Sequence, residues 1–270
     1  MKVALFVTCV NDVLYPDTGR AVVTVLERLG VEVEYPAGQT CCGQPQYNTG
    51  YRHETEPLAR RFGRVFDSYD YIVTPSGSCA AMARHHYPRL AERARDEDRA
   101  DPALDHAAET ARRTYEFTEF LTDVLGTTDV GAYFPHTVTY HPSCHGLRTL
   151  RLGDRPLRLL GAVEGIDLRE LGHADECCGF GGTFAVKNPD VSTAMGRDKI
   201  GHARDTGAQV LCGADNSCLM HLGGLIRHNN DPLQPLHLAD ILAATRDRPH
   251  PLTAATAPAP KAAPSAGGSR

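Results

Sequence analysis

Apolar positions along this chain follow two alternating periods. Lys2 to Thr8 is a β-rich run, and Thr137 to His141 is another. Between and after them come stripes at helical spacing. A helix is predicted from about Thr18 to Leu29, with Val22, Val25, Leu26 and Leu29 on one face, followed by a strand from Val31 to Tyr35. A second helix is predicted from Glu54 to Ser68, where Leu58, Phe62, Val65, Phe66 and Tyr69 form one stripe, and Tyr71 to Thr74 is the next strand. The later part repeats the scheme: helix Pro156 to Val163, strand Ile166 to Leu171, helix Pro189 to Arg204, strand Gln209 to Leu211. Alternating strands and helices indicate α/β units with mostly parallel sheets. Leu90 to Val130 is charged and helical in pattern, with a buried stripe of Phe117, Phe120, Leu121, Val124 and Leu125.

Composition narrows the class. The chain has 270 residues, 41% hydrophobic and 23% charged. That balance excludes disorder, collagen-like repeats and a membrane protein for the chain as a whole. A net charge of −5 supplies no basic face for nucleic acid. No apolar run reaches the roughly 18 residues of a spanning helix, so no transmembrane segment is expected. The start, Met1 to Cys9, reads as a first strand rather than a signal peptide, which predicts a cytoplasmic protein. The last 22 residues, from Pro249, contain 12 Ala or Pro and are expected to be a disordered tail.

Nine cysteines in such a protein should stay reduced, and an odd number fits a disulfide framework poorly. Their positions form two sets: Cys9, Cys41, Cys42 and Cys79, then Cys144, Cys177, Cys178 and Cys218. Matching members are offset by 135, 136, 136 and 139 residues, and only Cys212 has no counterpart. Cys41-Cys42-Gly43 answers Cys177-Cys178-Gly179, and Ser78-Cys79 answers Ser217-Cys218. This is an internal duplication. The expected organisation is a first cysteine-rich domain with its helical linker at 1–130, a second at 131–248, and the tail at 249–270.

Each repeated cysteine follows a predicted strand or opens a helix, and ligands of open α/β sheets collect at the carboxyl ends of strands. Four thiols from three loops would then converge in each half. Zinc is one occupant, although its usual C-x2-C knuckles are absent. Simple buried cysteines or a vicinal disulfide are another reading. An iron–sulfur centre is the third. The glycine after each Cys-Cys pair is expected to let the backbone approach a bulky ligand and to offer an N–H to sulfur.

The pattern Cys9-x31-Cys41-Cys42-Gly43-x35-Cys79, repeated as Cys144-x32-Cys177-Cys178-Gly179-x38-Cys218, resembles the duplicated cysteine-rich CCG domain. That domain occurs in heterodisulfide reductase and in the iron–sulfur components of glycolate oxidase and anaerobic glycerol-3-phosphate dehydrogenase. A short chain with two such domains is most similar to the lactate-utilisation protein A group. The strings Pro75-Ser76-Gly77-Ser78-Cys79, His141-Pro142-Ser143-Cys144-His145, Cys177 to Gly182 and Asp215 to Met220 fit that group. The resemblance implies two tandem α/β CCG domains and [4Fe-4S]-type iron–sulfur clusters on the eight paired cysteines. It also implies electron transfer in NAD-independent oxidation of L-lactate to pyruvate, beside partners of the lactate-utilisation protein B and C types. A component of a disulfide reductase, or of a glycolate or glycerol-3-phosphate oxidising complex, is the alternative.

One departure stands out. The heterodisulfide reductase pattern ends each half in C-x-x-C, with five cysteines per cluster; here Ser76 and Asp215 hold the first of those positions. Asp215 is read as a capping or hydrogen-bonding residue, Cys212 as a buried small side chain. Of the thirteen histidines, His85 and His86 need not face the cysteines, whereas His141 and His145 bracket Cys144. No dinucleotide-binding or P-loop glycine pattern is present.

Overall fold

A computed structural model describes residues 1–252. The expected tail from Pro249 falls almost entirely outside the described residues. The first half contains β1 (Val3–Leu5), α1 (Cys9–Leu14), α2 (Pro16–Arg28), β2 (Val33–Glu34), α3 (Gln44–Asn48), α4 (Arg52–Phe66) and β3 (Tyr71–Thr74). It continues with α5 (Gly77–Ala81), α6 (Tyr87–Asp96), α7 (Pro102–Ala111), β4 (Thr114–Glu116) and α8 (Phe117–Glu119). The second half contains β5 (Thr137–His141), α9 (Arg155–Gly161), β6 (Asp167–Arg169), α10 (Phe184–Lys187) and α11 (Pro189–Asp205). It closes with β7 (Val210–Gly213), α12 (Asn216–His228), β8 (Gln234–His237) and α13 (Leu238–Ala243).

The strands form two four-stranded sheets, ordered β2-β1-β3-β4 and β6-β5-β7-β8. Every pairing is parallel. The mixed α/β architecture and the duplication expected from the sequence are therefore both present. The order reverses between β1 and β3, and again between β5 and β7. At such a switch point, connections leave to opposite faces and open a crevice at the strand ends. Cys9 and Cys79 follow the two strands that flank the first switch point; Cys144 and Cys218 follow those at the second.

The amphipathic helices were legible because their stripes are wide. In α4, Phe62 and Phe66 are buried against Phe6 in edge-on contacts at 5.2 and 5.3 Å. Each such burial is worth roughly 1.5–3 kcal/mol. The fourth strands, β4 and β8, were not predicted. Each is short and lies at a sheet edge, and β8 carries Pro235, which an edge strand tolerates.

One core joins the halves. Val3, Val25, Phe120, Val138, Leu160, Val210 and Leu238 belong to a single buried cluster. Contacts across it are reciprocal: α2 packs on α13, and α8 packs on α9. Arg28 at the end of α2 donates to the carbonyl oxygens of Val130, Leu242 and Ala243 at 2.6 to 3.1 Å, which ties the two halves further. A bridge between Ser76 and Asp215 joins them at the cysteine end.

Candidate metal centre

Cys9 opens α1, directly after Thr8, whose φ of 72° is rare for a β-branched residue. Cys79 sits inside α5, whose N-terminal Ser76 accepts the Cys79 N–H at 3.3 Å. Cys144 precedes a π-helical turn at His145–Leu150, and a second π-helical turn at Met82–His86 follows α5. Such turns are rare inside helices and recur at functional sites. Cys41-Cys42 and Cys177-Cys178 lie in the two Cys-Cys-Gly loops.

The loops bring all eight paired cysteines to one cavity of about 380 Å³ between the halves. In the first half the Cys9 and Cys41 sulfurs are 3.3 Å apart, as are those of Cys42 and Cys79. In the second half Cys144 lies 3.9 Å from Cys177. Cys212 is absent from the cavity. It is buried in β7 within the shared core, as expected of a small apolar residue.

Gly43 and Gly179 take φ of 84° and 91°. The reason is packing on the following helix as well as access for a ligand. A Cβ on Gly43 would meet Thr55 at 2.7 Å, and one on Gly179 would meet the Ser192 carbonyl oxygen at 2.4 Å. Their N–H groups donate to Cys41 and Cys177 sulfur, each at 3.4 Å. Hydrogen bonds from Cys42 and Cys9 hold the Cys41 thiol down at about 3; bonds from Cys144 and Cys178 hold Cys177 at about 2. Bonding to the lowered neighbour and burial push Cys9, Cys42, Cys144 and Cys178 up. In each half one thiol is thus pushed toward thiolate beside thiols pushed toward the protonated form, and a bound cation would displace those protons. That donor set fits zinc or an iron–sulfur centre, since thiolate is the ligating form.

Ser76 and Asp215 are committed to each other and to backbone. The Asp215 carboxylate accepts the Ser78 N–H at 2.9 Å, the Ser217 N–H at 3.1 Å and the Ser217 hydroxyl at 2.5 Å; the Ser76 hydroxyl reaches it at 3.4 Å. The capping reading of Asp215 holds, and the cap reaches across the interface. Next to it, Asn216 donates to Asn11 and Thr18, both at 2.9 Å.

His145 lines the cavity, its ring 2.9 Å from the Gln44 amide. His141 is 1% exposed beside Cys178 and Cys218, and burial lowers its ring to about 4, so it is neutral. His85 and His86 line a different pocket, beside Arg89 and Arg148. Lys199 carried no signal in the sequence. It is 0% exposed on α11, and its ammonium donates to the His173 carbonyl at 2.5 Å. A lysine inside an amphipathic helix gives no warning of burial.

The duplication is also found by comparison with known proteins. The CCG family, described as a cysteine-rich domain, matches residues 3–84 and 138–223. Lactate utilization protein A of Oceanobacillus iheyensis is 45% identical over 247 residues, spanning 92% of this chain and 98% of that protein. Lactate utilization protein A 2 of Bacillus cereus is 45% identical over 244 residues, spanning 90% and 98%. Among solved structures, a hypothetical protein from Helicobacter pylori superposes with a TM-score of 0.55 at 10% identity. That match covers 89% of this chain and 48% of the other, and it speaks to fold alone.

Proposed function

Since this chain belongs to the cysteine-rich CCG domain family, with lactate utilization A proteins as full-length relatives, we propose that it serves lactate utilization as an iron–sulfur electron-transfer component. Cys9, Cys41, Cys42 and Cys79 would hold one centre, and Cys144, Cys177, Cys178 and Cys218 the other. The observation that carries this reading is the convergence of all eight sulfurs on one cavity. Bound there, the clusters would supply one-electron chemistry to a two-electron oxidation of L-lactate to pyruvate.

The chain's own residues do the rest. Cys41 and Cys177 offer thiolates that accept the glycine N–H groups, and such bonds tune cluster potential. The apolar clusters behind Cys42 and Cys178 keep water from the buried side. The cavity's opening between the halves leaves a path for electrons from a partner. Proteins of the lactate-utilisation B and C types are the partners this reading calls for. No helix among the described residues is long and apolar enough to cross a membrane. The locked Ser76–Asp215 pair counts against disulfide chemistry of the five-cysteine kind.

The test is iron and acid-labile sulfide in anaerobically purified or reconstituted protein, with EPR after reduction. Iron, sulfide and a reducible cluster signal are expected. Zinc without sulfide would overturn the reading. Lactate-dependent reduction of the cluster with the two partners present tests the substrate; reduction by glycolate or glycerol 3-phosphate instead would reassign it.

A further inference from the structure

One difference between the two cysteine sets places a potential donor at the sulfurs themselves. In the first, four sulfurs form two pairs. In the second, Cys144 pairs with Cys177 and Cys178 with Cys218, and His141 stands beside the latter pair: one ring nitrogen and the two sulfurs all lie within 4.8 Å of one another. Strand register equates His141 with Phe6. Leu5 pairs with Val73 and Tyr140 with Cys212, and Phe6 and His141 are the next residues along. Phe6 has the corresponding place beside Cys42 and Cys79, within one apolar cluster.

A phenyl ring there needs no polar partner, whereas an imidazole does. His141 is 1% exposed, and neither of its ring nitrogens has a hydrogen-bond partner. A buried polar atom left unpaired costs about 1–3 kcal/mol. The sulfurs beside it indicate the missing partner, because thiolate with neutral imidazole is a donor set for a transition metal. With all three atoms within 4.8 Å of one another, they are grouped as ligands of one metal centre would be.

The donor count points the same way. Neither Ser76 nor Asp215 is free to replace the absent fifth cysteine, since each is engaged across the interface. His141 supplies a fifth donor in the second half, and Phe6 supplies none in the first. We propose that His141 is a nitrogen ligand of the metal centre in the second cysteine set, which therefore has five donors against four in the first. The proposal rests on the reading that these sets hold iron–sulfur centres, and its test separates the two.

The full chain, reconstituted anaerobically with iron and sulfide, is compared with His141→Phe, which installs the residue the first half carries, and with His141→Gln. Circular dichroism checks that the variants fold. Iron and sulfide per chain report on the cluster reading; pulsed EPR of the reduced protein reports on the ligand. The expected result is strong coupling to a directly bonded nitrogen in the parent protein, lost in both variants. Clusters without that coupling, or variants that retain it, overturn the proposal and leave the cluster reading standing. If iron and sulfide are not taken up, the cluster reading fails and Co(II) becomes the probe. Co(II) binding weakened about tenfold or more in His141→Phe, with an altered visible spectrum, supports the ligand. Identical titrations overturn it.

Discussion

Behind the first cysteine set lies an aromatic floor; behind the second lies an aliphatic one with a buried histidine and a buried lysine beside it. Gly43 abuts Thr55 and Leu58 on α4, and Gly179 abuts Ser192 and Met195 on α11, which sets the two helices in register. In that register Phe62 matches Lys199 and Phe66 matches Ala203. Phe6, Phe62 and Phe66 thus become His141, Lys199 and Ala203. A parallel exchange occurs at the edge strands. Thr74 pairs with Glu116 and Gly213 with His237, and each partner caps the helix that follows, α8 or α13. The duplication kept the sulfurs and changed the charge and polarity around them. The lesson is that ligand geometry and ligand environment are separately adjustable. Cysteine positions are fixed by the loops that leave the strand ends, whereas the floor is set by the strand residues Phe6 and His141 and by the helix residues packed on them.

The largest expected effect tests whether the two sets are independent. Cys42→Ala and Cys178→Ala should each lose up to about half of the bound iron, measured by metal analysis, since each removes a thiolate from one set and leaves the other set intact. Loss of all iron from either variant would mean one shared centre, and the comparison of halves would collapse.

The helix caps predict opposite pH behaviour. Burial raises Glu116 to about 7, so it folds protonated while the unfolded group ionises near the ordinary value of 4.5. Between these values the folded state binds more protons, so this group's contribution falls as pH rises from about 4.5 to 7, by up to about 3 kcal/mol. Burial lowers His237 to about 4 from 6.5, so it folds neutral; its Nδ1 accepts the Ala239 N–H at 3.1 Å. Here the unfolded state binds more protons, and stability is lost as pH falls from about 6.5 to 4, again by up to about 3 kcal/mol. Urea titrations across pH should show Glu116→Gln relieving the neutral-side loss and His237→Asn the acid-side loss. The same pH profile in both variants would refute the contrast.

Asp215→Ala removes the acceptor that joins the halves and strands the Ser78 and Ser217 N–H groups. A destabilisation of about 2–3 kcal/mol is expected from the urea midpoint at constant slope. A smaller effect would make the Ser76–Asp215 bridge incidental to the interface.

Lys199→Met should act on the second set alone. A buried cation favours the electron-rich form of a nearby centre. At an effective dielectric of ~20 its loss amounts to about 1–2 kcal/mol, or roughly 40–90 mV for one electron. Redox titration followed by EPR should show the second potential falling and the first unmoved. The fold should tolerate the change, because an apolar side chain replaces a buried charge.

Much of this was legible in the residues themselves. Offsets near 136 in the cysteines, the Cys-Cys-Gly loops and the stripes of α2 and α4 are local or periodic signals, and they were sufficient for two parallel α/β units and for the grouping of the sulfurs by half. The edge strands β4 and β8 were not legible, because Thr114–Glu116 is a short piece inside a stretch of helical pattern and Gln234–His237 contains Pro235; both are strands by pairing with a neighbour. Nor was the union of two sulfur sets in one cavity, which follows from α2 packing on α13 and α8 on α9. The sequence determined which atoms are donors, since that is a matter of residue type and spacing along one chain. Only the tertiary structure decided that His141 and Lys199 are buried beside one set while phenyl rings occupy the matching places by the other. Burial is a property of what packs against a side chain, and those neighbours lie tens of residues away.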